Sequence, residues 1–285
     1  MSTRRAIFVV NSLKSEAVEA ARELANLLTN KGFELFSASE IDIEKINARA
    51  ISDLPQAEIV IVLGGDGTIL RAAEIAREQK IPLLGINLGH VGFMAEVERP
   101  TFDEITQSIV NKSYVTENRM LLAYSVERSG TRVSSGWSLN EVTLERDGTT
   151  MVELFVQIDD RPLSRWGCDG LICSTPTGST AYAFSAGGPV LWPEIDAIVL
   201  LPISAHALFS RPMVVSPHSE IVVEIESPEA LLSADAIRKF ALRQGDRVLI
   251  SKDSEIVKLA HVRPTLFTDR LVAKFKLPVE GWRGE

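Results

Sequence analysis

The chain has 285 residues, 45% of them hydrophobic and 24% charged, with a formal net charge of −8. That length supports one large domain or two ordinary ones, and the acidic balance argues against nucleic acid or an anionic membrane as the main partner. The two cysteines, Cys168 and Cys173, are too few for a disulfide framework or a four-thiolate zinc site, and read as free thiols of a cytoplasmic protein. The start of the chain does not read as a signal peptide, and no apolar run approaches the ~20 residues of a membrane span.

Residues 6–10 are a continuous apolar run rich in β-branched side chains, the pattern of a strand buried on both faces. Residues 15–30 carry Val18, Ala21, Leu24, Ala25 and Leu28 at helical spacing, and 33–36 read as a short second strand. Residues 59–63 form the clearest buried strand and run directly into Gly64-Gly65-Asp66-Gly67-Thr68. A helix is predicted over 69–79, a strand over 82–86, and a helix over 101–111 capped by Thr101 with Asp103 and Glu104 in its first turn. This alternation predicts an α/β domain over 1–118, an open, mainly parallel sheet with helices on both faces. After Arg119 the pattern changes to short strand-like runs at 120–127, 142–145, 154–158, 171–174, 221–225 and 248–250. Hairpin turns are predicted at Asp159-Asp160-Arg161-Pro162 and Arg243-Gln244-Gly245-Asp246. Only 179–186 and 268–275 look helical there, so a β-rich domain is expected over 119–265, followed by a C-terminal segment, 266–285, packing back on the first domain.

Four segments can carry chemistry. The loop Gly64–Thr68 stands where a strand hands over to a helix, the place where ligands bind in open α/β sheets. Its glycines let backbone approach a bulky anion, and the helix start offers N–H groups to phosphate. A carboxylate there repels phosphate, which makes sense if Asp66 takes a proton from a hydroxyl attacking phosphorus or positions a metal; a tight turn with a solvated aspartate is the plainer reading. The spacing matches neither the G-x-x-x-x-G-K-[ST] phosphate loop nor the G-x-G-x-x-G dinucleotide loop. The second segment, Ser174-Thr175-Pro176-Thr177-Gly178-Ser179-Thr180-Ala181-Tyr182, is rich in hydroxyls that suit a polyhydroxylated ligand or a helix cap. The third, Asn140-Glu141, can read an adenine edge and chelate ribose hydroxyls, or be a solvated hairpin pair. The fourth, Gly85 to Phe93, can wall a pocket with Phe93 stacking on a base, or be a plain loop. The four histidines match no zinc spacing, so no metal ligand is identified.

In this order the four segments, with Ser185-Ala186-Gly187-Gly188-Pro189, Ala205-His206-Ala207-Leu208 and Arg211-Pro212, resemble the NAD kinase family across nearly the whole chain. The resemblance implies transfer of the terminal phosphoryl group of ATP, or of polyphosphate, to the 2′-hydroxyl of the adenosine ribose of NAD. It implies Asp66 as the proton acceptor, with Gly67 and Arg71 lining the same pocket and Gly65 and Thr68 cradling phosphates. Asn140 and Glu141 would hold the adenosine, Asp169 the nicotinamide side, and Thr180, Ala181, Tyr182 and Ser185 the wall of the NAD site, with Phe93 near the adenine. It further implies an α/β N-terminal domain with a β-rich NAD-binding domain, a homodimer or homotetramer, and Mg²⁺ or another divalent ion delivered with ATP. No tightly bound prosthetic group, nucleic acid or membrane is expected. Asp235-Ala236-Ile237 departs from the family's usual polar trio, and Gly167 and Thr150 stand where some members carry a basic or imidazole side chain. Two rival readings are a lipid kinase sharing the glycine–aspartate loop, which calls for an apolar acceptor pocket, and a catalytically silent NAD(P) sensor of the same fold.

Overall fold

Strand β1 (Arg4–Val10) is buried on both faces from Ala6 to Val10, and that sets up the layers of the first unit in a computed structural model. The structure describes residues 3–38, 41–86, 88, 92–95, 100–264 and 266–279. Its contacts divide into two units, one holding the chain up to Asn118 and from Val257 onward, the other Arg119–Ile256.

In the first unit β1 is followed by α1 (Ser15–Asn30), β2 (Phe33–Ser37), β3 (Ile46–Ala48), β4 (Ile59–Leu63), α2 (Asp66–Gln79), β5 (Leu83–Ile86) and α3 (Phe102–Asn111). All neighbours in β5-β4-β1-β2-β3 are parallel, with Ala6 beside Ile59 and Val10 beside Leu63. Ala6, Phe8, Val10, Ile59, Ile61 and Leu63 share a core with α1 and α3. Because side chains alternate along a strand, Ile7, Val9, Val60 and Val62 face the other way, toward the layer carrying α2. Each such burial is worth roughly 1.5–3 kcal/mol, enough to explain why β4, buried at all five positions, sits inside the sheet. The Thr101 capping box forms, with Glu104 N–H donating to the Thr101 hydroxyl and Glu104 accepting from Thr101 N–H.

The second unit is antiparallel. It comprises β6 (Val115–Arg128) from Arg119 onward, β7 (Thr131–Ser138), β8 (Glu141–Glu145), β9 (Val152–Ile158), β10 (Arg161–Cys168), β11 (Gly170–Ser174) and the short α4 (Tyr182–Ser185). There follow β12 (Ile198–Ile203), β13 (Met213–Val215), β14 (Ile221–Ile225), β15 (Glu229–Ala234), β16 (Arg238–Arg243) and β17 (Arg247–His261). One sheet runs β13-β12-β11-β8-β15-β16; in the other, β10-β9-β14-β17 carries β6 and β7 alongside. Both contribute to a single core that includes Leu122, Leu144, Leu154, Trp166, Ile198, Ile221 and Val248. Asp159 and Asp160, at φ 50° and 59°, turn β9 into β10, and Gly245 at φ 84° turns β16 into β17, as the two predicted hairpins required. The helix expected over 179–186 is broken: a single 3₁₀ turn at Gly178–Thr180 precedes α4, and Ala181 between them has φ −102° and ψ −123°.

In the first unit, Leu259 and Ala260 of β17 lie parallel to β5, and α5 (Phe267–Phe275) ends the described chain apart from a few residues. Among the described residues no helix is long and apolar enough to cross a membrane.

Candidate functional site

In the first unit, β4 delivers Gly64 and Gly65 beyond its carboxyl end, and Asp66 opens α2. Both oxygens of the Asp66 carboxylate are held from one side: Phe93 N–H donates to Oδ2 at 3.2 Å and Met94 N–H to Oδ1 at 3.3 Å. Gly92 makes this approach possible, since a Cβ there would fall against Asp66 Oδ1 and lie 3.0 Å from its Cγ. The other loop glycines separate into two kinds. A Cβ on Gly64 would meet Thr68 Oγ1 at 2.5 Å, so packing demands that glycine; a Cβ on Gly65 or Gly67 would meet nothing within 4 Å. Their backbone stays open to a bulky group from outside the chain. Thr68 is buried, with its N–H on the Gly65 carbonyl at 2.8 Å. Thr68 and Arg71 line a cavity of ≈ 330 Å³ with Asn11, Ser12, Ala38 and Ile75, at the carboxyl end of β1.

Phe93 differs from expectation. Its ring is only 7% exposed, packed 6.0 Å from the Phe267 ring and 5.6 Å from Phe275, so its faces are taken up by α5 and its backbone, not its ring, addresses Asp66. Asn87, Gly89, His90 and Val91, in the same predicted loop, lie outside the described residues.

In the second unit, Asn140 and Glu141 stand where β7 turns into β8, and the solvated-hairpin reading fails, because each is only 7% exposed. Asp235 organises them. Its buried carboxylate accepts from the N–H groups of Leu139 at 2.8 Å, Asn140 at 2.7 Å and Glu141 at 3.4 Å. Arg238 Nη1 reaches the same carboxylate at 3.5 Å while its guanidinium lies 4.2 Å over the Trp137 ring. The strand-like turn is thereby closed on itself, and Asn140 Oδ1 and Glu141 Oε2 are left buried without a hydrogen-bond partner. Burial first, and then the negative charge of Asp235, push the Glu141 carboxyl up to about 8; the Tyr182 N–H opposes this and Glu145 adds to it. Burial raises Asp235 too, against its three N–H donors and Arg238.

The hydroxyl-rich turn packs against this pair. Thr175 donates to the Leu139 carbonyl at 2.6 Å and Thr175 N–H to Asn140 O at 2.8 Å, while a Cβ on Gly178 would strike the Asn140 carbonyl. Ser174, Thr175 and Ser179 are buried and spend their hydroxyls on backbone carbonyls, so they build the turn and do not face a ligand. Thr180 also donates inward, to Thr177 O at 3.2 Å, but its side chain and those of Ala181, Tyr182 and Ser185 stay accessible. Desolvation and then the negative charges of Glu145, Glu141 and Asp169 raise the Tyr182 phenol. Asp169 is half-buried between β10 and β11 and pairs with Arg146 Nε at 2.9 Å.

Sequence reasoning missed Arg146 and the Met94 amide, and took Gly92 only as part of the Gly85–Phe93 loop. It noted Asp235 only as part of a departure, although this aspartate, 95 residues downstream of Asn140, is the residue that shapes that pair. Ile237 is 43% exposed and its side chain takes no part in that shaping.

Comparison with known proteins agrees on both units. Residues 6–114 match the ATP-NAD kinase N-terminal domain and residues 139–262 the ATP-NAD kinase C-terminal domain. A protein of Mycolicibacterium paratuberculosis named NAD kinase is 45% identical over 99% of this chain and 98% of its own length. One from Thermobifida fusca is 44% identical over 99% and 92%, and an NAD kinase 2 of Streptomyces avermitilis is 48% identical over 85% and 82%. Among solved structures, yeast NADH kinase complexed with NADH superimposes with a TM-score of 0.86 at 22% identity, covering 98% of this chain and 89% of that one. An NAD kinase from Archaeoglobus fulgidus in complex with ATP gives 0.70 at 24% identity, covering 96% and 98%.

Proposed function

Since the chain belongs to the NAD kinase family, enzymes that phosphorylate NAD to NADP, we propose that Asp66 removes the proton from the acceptor's ribose 2′-hydroxyl and that Asn140 and Glu141 recognise the adenosine carrying it. The observation behind this reading is the buried, unpartnered pair Asn140 Oδ1 and Glu141 Oε2. Leaving one such atom unsatisfied costs about 1–3 kcal/mol, and a ligand offering an amino edge and ribose hydroxyls removes that cost. An apolar lipid alcohol would not, and relatives at this level of identity are named NAD kinases, so the lipid-kinase alternative falls.

The remaining parts follow the same chemistry. Asp66 is oriented by two backbone N–H groups and keeps lone pairs free to accept a proton; a positioned carboxylate contributes on the order of 10²–10⁴ in rate. The open backbone at Gly65 and Gly67, at the amino end of a 14-residue helix, suits phosphate oxygens. The cavity beside Thr68 and Arg71 is of a size to take part of a donor nucleotide, with Arg71 as a cation for its phosphates. Among the described residues no three His, Cys, Asp or Glu side chains converge. We take a divalent ion to arrive with the donor's phosphates, where it would supply charge neutralisation. Thr180, Ala181, Tyr182 and Ser185 would wall the NAD site and Asp169, oriented by Arg146, would face the nicotinamide side. Exposed Phe184, Trp192, Ile195, Leu208 and Phe209, in one stretch of the second unit, support a homo-oligomer, and two buried free thiols support a cytoplasmic setting.

The test is NADP formation by purified protein, with ATP and Mg²⁺ in one arm and polyphosphate in the other. Asp66→Asn should retain NAD binding while turnover falls about 10²-fold or more. Near-normal turnover in that variant removes Asp66 as the base. NAD binding without NADP in either arm would make the protein a sensor.

A further inference from the structure

Helix α5 docks in an unusual manner. Amphipathic helices normally bury an apolar stripe, yet the only fully buried side chain of α5 is Arg270, at 1% exposure. A buried guanidinium is costly unless its protons are used, and an aliphatic residue of similar volume would seat a helix as well or better. The two terminal nitrogens of Arg270 are partnered, while Nε is buried without a hydrogen-bond partner. Nη1 donates to the Phe93 carbonyl at 3.0 Å, while Nη2 lies 3.2 Å from His261 Nε2 and 3.4 Å from Glu117 Oε1. Glu117 Oε2 in turn lies 3.4 Å from His261 Nε2, so carboxylate, imidazole and guanidinium form one cluster inside the first unit. Phe267 and Phe275, on the same helix, grip the Phe93 ring. The peptide of that carbonyl carries the Met94 N–H, and the peptide before it the Phe93 N–H, the two donors that hold the Asp66 carboxylate.

We infer that Arg270, braced by Glu117 and His261, is a positioning residue for the phosphoryl-transfer reaction, fixing the Phe93–Met94 amides that orient Asp66. It touches neither Asp66 nor the substrates; its carbonyl contact sets the plane of the peptide whose neighbouring amides do. The inference rests on Asp66 being the base. Lysine cannot replace it, because an ammonium lacks the planar fork that spans the Phe93 carbonyl and the Glu117–His261 pair together.

The test is a double-mutant cycle on kcat at saturating ATP and NAD, using Arg270→Lys, Asp66→Asn and the pair. Arg270→Lys should lower kcat about 10- to 100-fold, the scale of a sub-ångström to ångström misplacement of a catalytic group. KM for NAD should stay within about threefold, and amide exchange at Phe93 and Met94 should quicken. In the Asp66→Asn background the same change should cost less than about threefold, because the group it positions is already gone. If Asp66→Asn alone is near normal, the base assignment fails and this inference with it. If Asp66→Asn is slow but Arg270→Lys lowers both backgrounds by the same factor, the base stands and the positioning role is overturned. Should Arg270→Lys fail to fold, His261→Gln takes its place in the cycle; it leaves the guanidinium–carbonyl bond intact and should lower kcat about fivefold, again only when Asp66 is present.

Discussion

Glu141→Gln tests an electrostatic tension within the second unit. The carboxyl is 7% exposed, one oxygen has no partner, and burial with the nearby Asp235 charge holds it protonated up to a pH of about 8. In the unfolded chain it ionises near its ordinary value of 4.5. Between those values the folded state binds the extra proton, so stability is fully present below the lower one and is lost as pH rises through the upper one. The slope is about 1.4 kcal/mol per pH unit, and the whole window amounts to about 5 kcal/mol, a large share of a typical domain's stability. Glutamine keeps the shape and removes the titration. Unfolding of wild type and Glu141→Gln followed from pH 5 to 9 should give curves that separate as pH rises, with the variant ahead by roughly 10 °C in Tm at pH 8.5. Titrating groups away from the Glu141–Asp235 pair cancel in the difference. Curves that run parallel across the range would refute the reasoning. The same proton should leave when ribose hydroxyls bind, since they donate to a carboxylate; calorimetry of NAD binding at pH 7 in two buffers should show release of about 0.9 proton per site.

Gly92→Ala should leave the fold and NAD binding in place while kcat drops on the order of 10²-fold, because the new Cβ displaces the Asp66 carboxylate; steady-state kinetics with calorimetry checks this. Ala236 sits at φ 56° in the turn that presents Asp235, so Ala236→Gly should stabilise the protein by about 1 kcal/mol, read from denaturant unfolding with the m-value unchanged. Cys168 and Cys173 are both buried and their thiols are pushed up to about 12 by burial, so a thiol-specific disulfide reagent should label them only as the protein unfolds. Labelling of the native protein at the rate of a free thiol would contradict the burial.

The elements easiest to read from the chain were those whose signal is local. β4 is five aliphatic residues in a row and α1 a clean 3.6-residue stripe, so neither needed a partner to be recognised. β12 was missed although all but its last residue are buried, because Pro202 breaks the propensity signal in a strand whose neighbours, β11 and β13, supply the pairing. Of β17's 15 residues only 248–250 stood out, since its middle, Ser251 to Glu255, is polar where it meets water. The periodicity changes near residue 118, whereas the return of the chain to the first unit at Val257 depends on parallel pairing with β5, a contact between segments far apart in sequence.

The candidate site divides along the same line. Order and composition of Gly64–Thr68, Asn140-Glu141 and the hydroxyl-rich turn were enough by themselves to name a family, because that chemistry is written in consecutive residues. Tertiary structure decided what each residue touches. It turned the buried hydroxyls of Ser174, Thr175 and Ser179 inward, set Asp235 beneath Asn140 and Glu141, and gave the Asp66 carboxylate two amide donors from a segment 27 residues away. Proton affinity and orientation depend on which groups are brought within a few ångströms and kept from water, and only folding brings them there.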